Sequence, residues 1–175
     1  MRKVSIEVPL EFLDYSDGVA KINVNGKFNF VNNNGKLLSW QWFDDGDDFN
    51  EGFAKVELNE KYNFIDKSGN YLSKQWFDYC DYDFNEGFAR VTLNGKWNYI
   101  GKNVKVLSDQ WFDNCLRFHE DFAAVKVYDK WNFIDKNGNI LSKLWFDDCG
   151  AFYGGFAMVQ LIGEWKTIDK NGKLF

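Results

Sequence analysis

Proline and histidine are nearly absent from this chain of 175 residues, with one of each. A single imidazole leaves no histidine cluster to ligate a metal and no second histidine to share acid–base work. Basic charge is not in excess either: 21 Lys and Arg stand against 26 Asp and Glu, a net charge of −5. That balance argues against nucleic-acid binding through phosphate neutralisation. No apolar run approaches the ~18 residues of a membrane-spanning helix. The opening MRKVSIEVPLEF carries basic residues but no apolar stretch or small-residue cleavage site, so no secretory signal is read in it. The three cysteines, an odd number without a CxxC pair, make neither a disulfide framework nor a zinc motif. Reduced thiols and the missing signal favour a cytoplasmic setting. What abounds is aromatic: 18 Phe, 8 Trp and 8 Tyr make up 19% of the chain. With 45% hydrophobic residues, disorder is excluded and one domain has material for a core.

The aromatics recur at fixed intervals. Segments beginning at Asp17, Glu51, Glu86, Glu120 and Gly154 align with one another, their starts separated by 34, 35, 34 and 34 residues. The repeat units are therefore 17–50, 51–85, 86–119, 120–153 and 154–175, the last one partial, within a single repeat domain of residues 1–175. Each unit reads as β. In Phe53-Ala54-Lys55-Val56-Glu57-Leu58, apolar and charged residues alternate with period two. A two-residue turn follows, Asn25-Gly26 and Asn94-Gly95 being the best hairpin formers, with Asn59-Glu60, Tyr128-Asp129 and Ile162-Gly163 at the other three places. A second strand such as Lys130–Asp135 ends in a turn cluster, and a third element runs over 140–147. No stretch sustains a helical apolar face. A unit this small cannot bury its own rings, so neighbours must cover one another. The first 16 residues resemble the piece the fifth unit lacks, since Phe12-Leu13-Asp14-Tyr15-Ser16 aligns with Trp76-Phe77-Asp78-Tyr79-Cys80. The expectation is an all-β, propeller-like closed ring of five hairpin/meander units of about 35 residues, with residues 1–16 completing the last; it is favoured over an open solenoid because a ring leaves fewer free edges.

The recurring Glu-Gly-Phe-Ala-x-Val and Gly-Lys-Trp-Asn-Phe-Ile-Asp-Lys-x-Gly resemble the bacterial WG-repeat family across residues 17–175. The Gly that the family places after the aromatic is Asn29, Asn63, Asn98 and Asn132 here, and Lys166 in the fifth unit. Asn tolerates left-handed backbone, which would preserve the local conformation. The resemblance implies a non-catalytic repeat protein and supplies no catalytic residues.

Candidate chemistry follows the repeat slots. His119 shares its slot with Asn50, Asn85 and Tyr153, as a variable loop position would. Cys80, Cys115 and Cys149 share theirs with Gly46 and Ser16, which points to a demand for small volume. The acidic loop Asp44–Asp48 and the turn Asp135–Asn139 have oxygen-rich sequences, but Phe146 stands where a calcium loop needs its distal Glu, so turn chemistry is the expected role. Trp42, Trp76, Trp111 and Trp145, with the acids Asp44, Asp78, Asp113 and Asp147 two residues on, are the candidate ligand-binding set. Adjacent Trp and Phe on a strand point to opposite faces, so one of each pair turns away from the other's core. The alternative is that these tryptophans, and Trp97, Trp131 and Trp165, fill the core while the acids cap turns. The sequence thus favours a non-catalytic scaffold or protein-interaction module making multivalent weak contacts. The alternative is a lectin-like carbohydrate module stacking sugars on the repeated Trp. No cofactor, nucleic acid or membrane span enters either reading. Specificity is expected from the variable residues Asp47, Tyr82, Arg117 and Ala151.

Overall fold

The computed structural model describes residues 13–103 and 105–175. Two compact units divide the chain, Met1–Asp83 and Phe84–Phe175. The first carries β1 (Tyr15–Ser16), β2 (Val19–Val24), β3 (Lys27–Asn32), β4 (Asp45–Gly46), β5 (Phe53–Leu58), β6 (Lys61–Asp66) and β7 (Tyr79–Cys80). The second carries β8 (Phe88–Leu93), β9 (Lys96–Gly101), β10 (Asn114–Cys115), β11 (Phe122–Val127), β12 (Lys130–Asp135), β13 (Asp148–Cys149), β14 (Phe156–Leu161) and β15 (Glu164–Asp169). Five three-stranded sheets result, none closed on itself, and no helix occurs among the described residues.

Each repeat contributes one hairpin of two six-residue strands joined by a two-residue turn, as in Val24↔Lys27 and Val127↔Lys130. Both turn residues have positive φ in all five hairpins, including Tyr128 (47°) with Asp129 (62°) and Ile162 (53°) with Gly163 (77°). This is the type I′ geometry whose twist matches that of paired strands. The expected third strand is only partly realised. Over 140–147 the chain makes single bridges, Ile134↔Ile140 and Trp131↔Phe146, separated by a turn that starts at Ser142. Only the two following residues, Asp148–Cys149, form a strand, and they pair with the next hairpin rather than their own. The sheets therefore straddle the sequence repeats. Tyr15 and Ser16 do the same for the first hairpin, pairing with Ala20 and Val19. The placing of residues 1–16 in the last unit falls, for 1–12, outside the described residues.

Within each unit, one face of a hairpin packs on the hairpin that follows it. In the first unit, Val19 and Phe30 of the first sheet meet Ala54, Val56 and Ile65 of the second, with Phe43 and Phe49 between them. In the second unit, Tyr99 meets Ala123, Val125 and Ile134, and Phe133 meets Ala157, Val159 and Ile168. Rings from the connecting loop plug each junction: Phe49 lies 5.2 Å from Phe30, Phe118 lies 5.0 Å from Tyr99 and Phe152 lies 4.8 Å from Phe133. Edge-to-face rings at such spacing add roughly 1 kcal/mol to what burial provides.

Candidate functional site

The Trp-Phe-Asp segments are straps between hairpins. Phe43, Phe77, Phe112 and Phe146 are fully buried. Phe43 exchanges two backbone hydrogen bonds of 2.9 Å with Phe28 of its own repeat, and Phe77, Phe112 and Phe146 do the same with Tyr62, Trp97 and Trp131. One residue later the strap bonds to the following hairpin: the N–H of Asp44 donates to Glu57 (2.9 Å), that of Asp113 to Lys126 (2.8 Å) and that of Asp147 to Gln160 (2.8 Å). Trp42, Trp76, Trp111 and Trp145, pointing away from their Phe neighbours, are half-buried. Trp42 packs on the Ala20, Ile22 and Val31 cluster. Trp76 packs on the first-unit core and meets Tyr71 edge-on at 5.2 Å. The second tryptophan set divides, with Trp97 and Trp131 packed on their cores and Trp165 half exposed.

The four candidate acids are engaged by their own fold. Asp44, Asp78, Asp113 and Asp147 form ion pairs with Lys27, Lys61, Lys96 and Lys130, the lysine that opens the second strand of each hairpin. The other oxygen of Asp44 accepts the N–H of Asn59 at the tip of the next hairpin (2.7 Å), and that of Asp113 accepts Tyr128 in the same way (2.7 Å). Asp147 accepts the N–H of Gly163 at 3.3 Å. The hydrogen bond from lysine, then the turn amide, holds Asp44, Asp113 and Asp147 below the usual carboxylate range. Asp113 in turn raises Lys96.

A second set of acids works across the turns that precede each hairpin. Glu86 accepts N–H bonds from Glu120 (2.8 Å) and Asp121 (3.0 Å), and Glu120 accepts them from Gly154 (2.6 Å) and Gly155 (2.8 Å). Consecutive left-handed residues, Glu120 (50°) and Asp121 (73°) or Gly154 (59°) and Gly155 (85°), aim both amides at one carboxylate. Lys136 and Lys170 close on Glu86 and Glu120 at 3.1 and 3.2 Å. In the first unit Asp17 accepts the N–H of Gly52 (2.8 Å), with Lys67 at 3.6 Å. Burial pushes the Glu86 carboxyl up, but the amides and Lys136 outweigh it and the net direction is down.

The acidic loop is filled from within. Asp45, Asp47, Glu57, Tyr62 and Tyr82 line a cleft of about 130 Å³ around Lys55. The Lys55 ammonium lies 3.7 Å from the Tyr82 ring centre, 5.6 Å from that of Tyr62 and 3.1 Å from Asp47. Asp48 meets Lys21 at 3.7 Å, so the loop's carboxylates face different lysines. Among the described residues no group of His, Cys, Asp or Glu is placed to hold a metal ion. The structure thus joins two of the variable positions, Asp47 and Tyr82, on one lysine.

The small-residue slot is explained by volume. A Cβ at Gly46 would stand 3.1 Å from the Phe30 ring. Cys80 and Cys115 fill the same slot fully buried, and Cys149 lies half-buried. Burial pushes the Cys80 thiol up, and that of Cys149 up to about 12, so neither carries a reactive thiolate at neutral pH. The His119 ring lies 4.2 Å from that of Tyr153, tilted by 49°.

Asparagine at the family's glycine position corrects one expectation. Asn29, Asn63, Asn98 and Asn132 lie within strands and none has positive φ, so backbone tolerance is not their role. All four are fully buried. The Asn132 amide donates to the carbonyls of Ser142 (2.8 Å) and Leu144 (3.0 Å) and accepts the N–H of Phe133 (2.8 Å). Asn29, Asn63 and Asn98 repeat these bonds to the carbonyls ten and twelve residues on. The side chain pins the loop after the hairpin, the loop whose Ser39, Ser73, Ser108 and Ser142 hydroxyls accept the N–H two residues later. Sequence reasoning also passed over Trp40, 90% exposed, and the hairpin tips Tyr128 and Ile162, exposed by 90% and 89%.

No curated protein matches the sequence. Among solved structures, Kluyveromyces lactis Hsv2 with loop 6CD replaced by a Gly-Ser linker shares 9% identity over 93% of this chain and 63% of its own, with a TM-score of 0.47. Hsv2 of Kluyveromyces marxianus shares 11% over 90% of this chain and 60% of its own, with a TM-score of 0.43. A Bacteroides caccae protein of unknown function shares 12% over 85% and 67%, with a TM-score of 0.30. The chain spans about 63% of the length of the first of these. The model of the WG containing repeat matches residues 43–62, 64–97, 112–131 and 133–165, more than half of the chain. The chain belongs to the WG containing repeat family.

Proposed function

We propose that this chain is a non-catalytic repeat scaffold that binds protein through its variable, exposed side chains. One observation carries this reading: the repeated Trp and Asp residues are taken up by the fold. Each of the four tryptophans is half-buried and each of the four acids is paired with a lysine of its own repeat. A sugar would have to compete with those ion pairs and reach rings whose faces are partly covered. Exposed aromatic area lies instead at slots that differ between repeats, at Trp40 (90%), Tyr82 (69%) and Tyr153 (66%). Large rings with a polar edge are favoured anchors at protein interfaces. Repetition sets these anchors on a common framework, where several weak contacts add to useful avidity.

The test compares two classes of variant. A glycan array probed with the chain and with Trp76→Ala, Trp111→Ala and Trp145→Ala is expected to return no specific binding, the variants losing thermal stability instead. Crosslinking to partner proteins is expected to fall on Trp40→Ala with Tyr82→Ala, at an unchanged melting temperature. Specific glycan binding that disappears in Trp variants of unchanged stability would overturn the proposal in favour of the lectin reading.

A further inference from the structure

The fifth sheet departs from the other four on one face. Cross-strand register places Phe156, Met158 and Gln160 of β14 on the same face as Trp165 and Thr167 of β15. The Thr167 hydroxyl lies 3.8 Å from the Met158 sulfur, and Phe175 meets Phe156 edge-on at 6.0 Å. This is the face that packs on a following hairpin in the first and fourth sheets, where Phe30 and Phe133 are buried. In the fifth sheet Thr167 replaces that ring, while Phe156 keeps the slot of Phe122, which lies 5.1 Å from Phe152 in the fourth. Met158 takes the slot of Lys21, Lys55, Arg90 and Ala124. Gly154 takes that of the bridging acids Asp17, Glu86 and Glu120. The strand ring and the bridging acid of the other junctions are both missing, yet the face has not become polar. Phe156, Met158, Trp165 and Phe175 are exposed by 48%, 49%, 53% and 61%.

We infer that this face is a self-association surface on which a second copy of the chain docks, fifth sheet to fifth sheet, about a two-fold axis. Three observations single out that occupant. The other hairpin face a second copy might offer is the inner face of its first sheet, and Ala20, Ile22 and Val31 there are already covered, at 0%, 6% and 0% exposure. With Met158 where the first three repeats carry Lys or Arg, no cation at this slot faces its own symmetry mate, as a two-fold contact that brings each residue near its counterpart requires. The make-up of the patch is that of an interface core, aromatic and Met with no charge at its centre, edged by Gln160 and by Lys173, whose ammonium lies 4.6 Å from the Phe175 ring centre. Asp169 shares the face opposite Phe156, and its carboxylate is turned to the amides of Asn171 and Lys173, 2.9 Å away. Three half-exposed rings and one Met amount to about 400 Å² of apolar surface, within the size of patches that mark binding sites. A stable partner surface is about 800 Å², so the polar edge supplies roughly the other half.

Sedimentation velocity over a concentration series tests this with the full chain. The expected result is a reversible monomer–dimer equilibrium, weakened at least tenfold by Met158→Lys, a residue that the same slot already carries in the first two repeats. A chain that stays monomeric up to about 100 μM contradicts the inference and reassigns the face to another occupant, residues 1–12 or a different protein. A dimer unaffected by Met158→Lys contradicts it as well. Should that variant fold poorly, hydroxyl-radical footprinting of the natural chain decides: Met158 and Trp165 must gain protection as the dimer forms, and unchanged labelling overturns the assignment.

Discussion

Asn132 shows how a single side chain can be worth a whole loop. It satisfies two carbonyls and two amides in a partly buried loop. Replacing it with Ala removes four hydrogen bonds and leaves desolvated backbone groups, which costs about 3 kcal/mol. Asn132→Asp is expected to be at least as damaging, because a carboxylate cannot donate to Ser142 and Leu144. Urea unfolding of both variants checks this, and an Asp variant as stable as the parent would contradict it. The importance of this residue was not legible in the sequence, because the partners lie ten and twelve residues away and a strand Asn looks like a substituted turn residue. The cysteine slot was legible for the opposite reason. Gly, Ser and Cys alternating at one position report volume directly, and the Phe30 ring against Gly46 is its cause.

At the scale of the element, the hairpins were readable from alternation and from Asn-Gly turns, and even the poorer turn sequences adopt the same geometry. Tyr128-Asp129 and Ile162-Gly163 do so because register and packing on either side leave no alternative. That override has a measurable price in strain. Ile162 holds a β-branched side chain at φ 53° while 89% exposed, gaining no packing in return. Ile162→Asn is therefore expected to stabilise the chain by about 1 kcal/mol, read as a rise in the thermal midpoint. A fall would mean that the side chain makes a contact in the folded chain. The third element over 140–147 mixes apolar residues with a serine-led turn, so it forms single bridges rather than a continuous strand. Its true job, bonding to two hairpins in succession, depends on tertiary pairing that no local pattern encodes.

Across the whole molecule, the recurring connection is an acid held by amides and a lysine. The residues concerned are up to 35 positions apart, as for Glu86 with Asp121, so sequence periodicity locates the slots without disclosing the bonds. Their electrostatics set a pH dependence. Asp44, Asp113, Asp147, Glu86 and Glu120 titrate below their ordinary range in the folded chain. A depressed carboxyl pKa contributes stability that is fully present above the unfolded-state value and is lost as pH falls through the folded one. Urea midpoints are accordingly expected to be level between about pH 6 and 8 and to decline below about pH 4.5. A midpoint that rises on acidification would show that these acids are strained rather than satisfied.

The central claim is that the repeated aromatics and acids are spent on joining hairpins, which leaves recognition to the residues that vary. Trp76→Ala tests it most directly, since Trp76 is a half-buried ring on the first-unit core and also one of the four candidate sugar platforms of the lectin alternative. Differential scanning calorimetry should show destabilisation of about 2 kcal/mol, half of what a fully buried Trp loses, and a midpoint lower by about 4–8 °C. An unchanged midpoint would contradict the account and return Trp76 to the surface as a ligand platform.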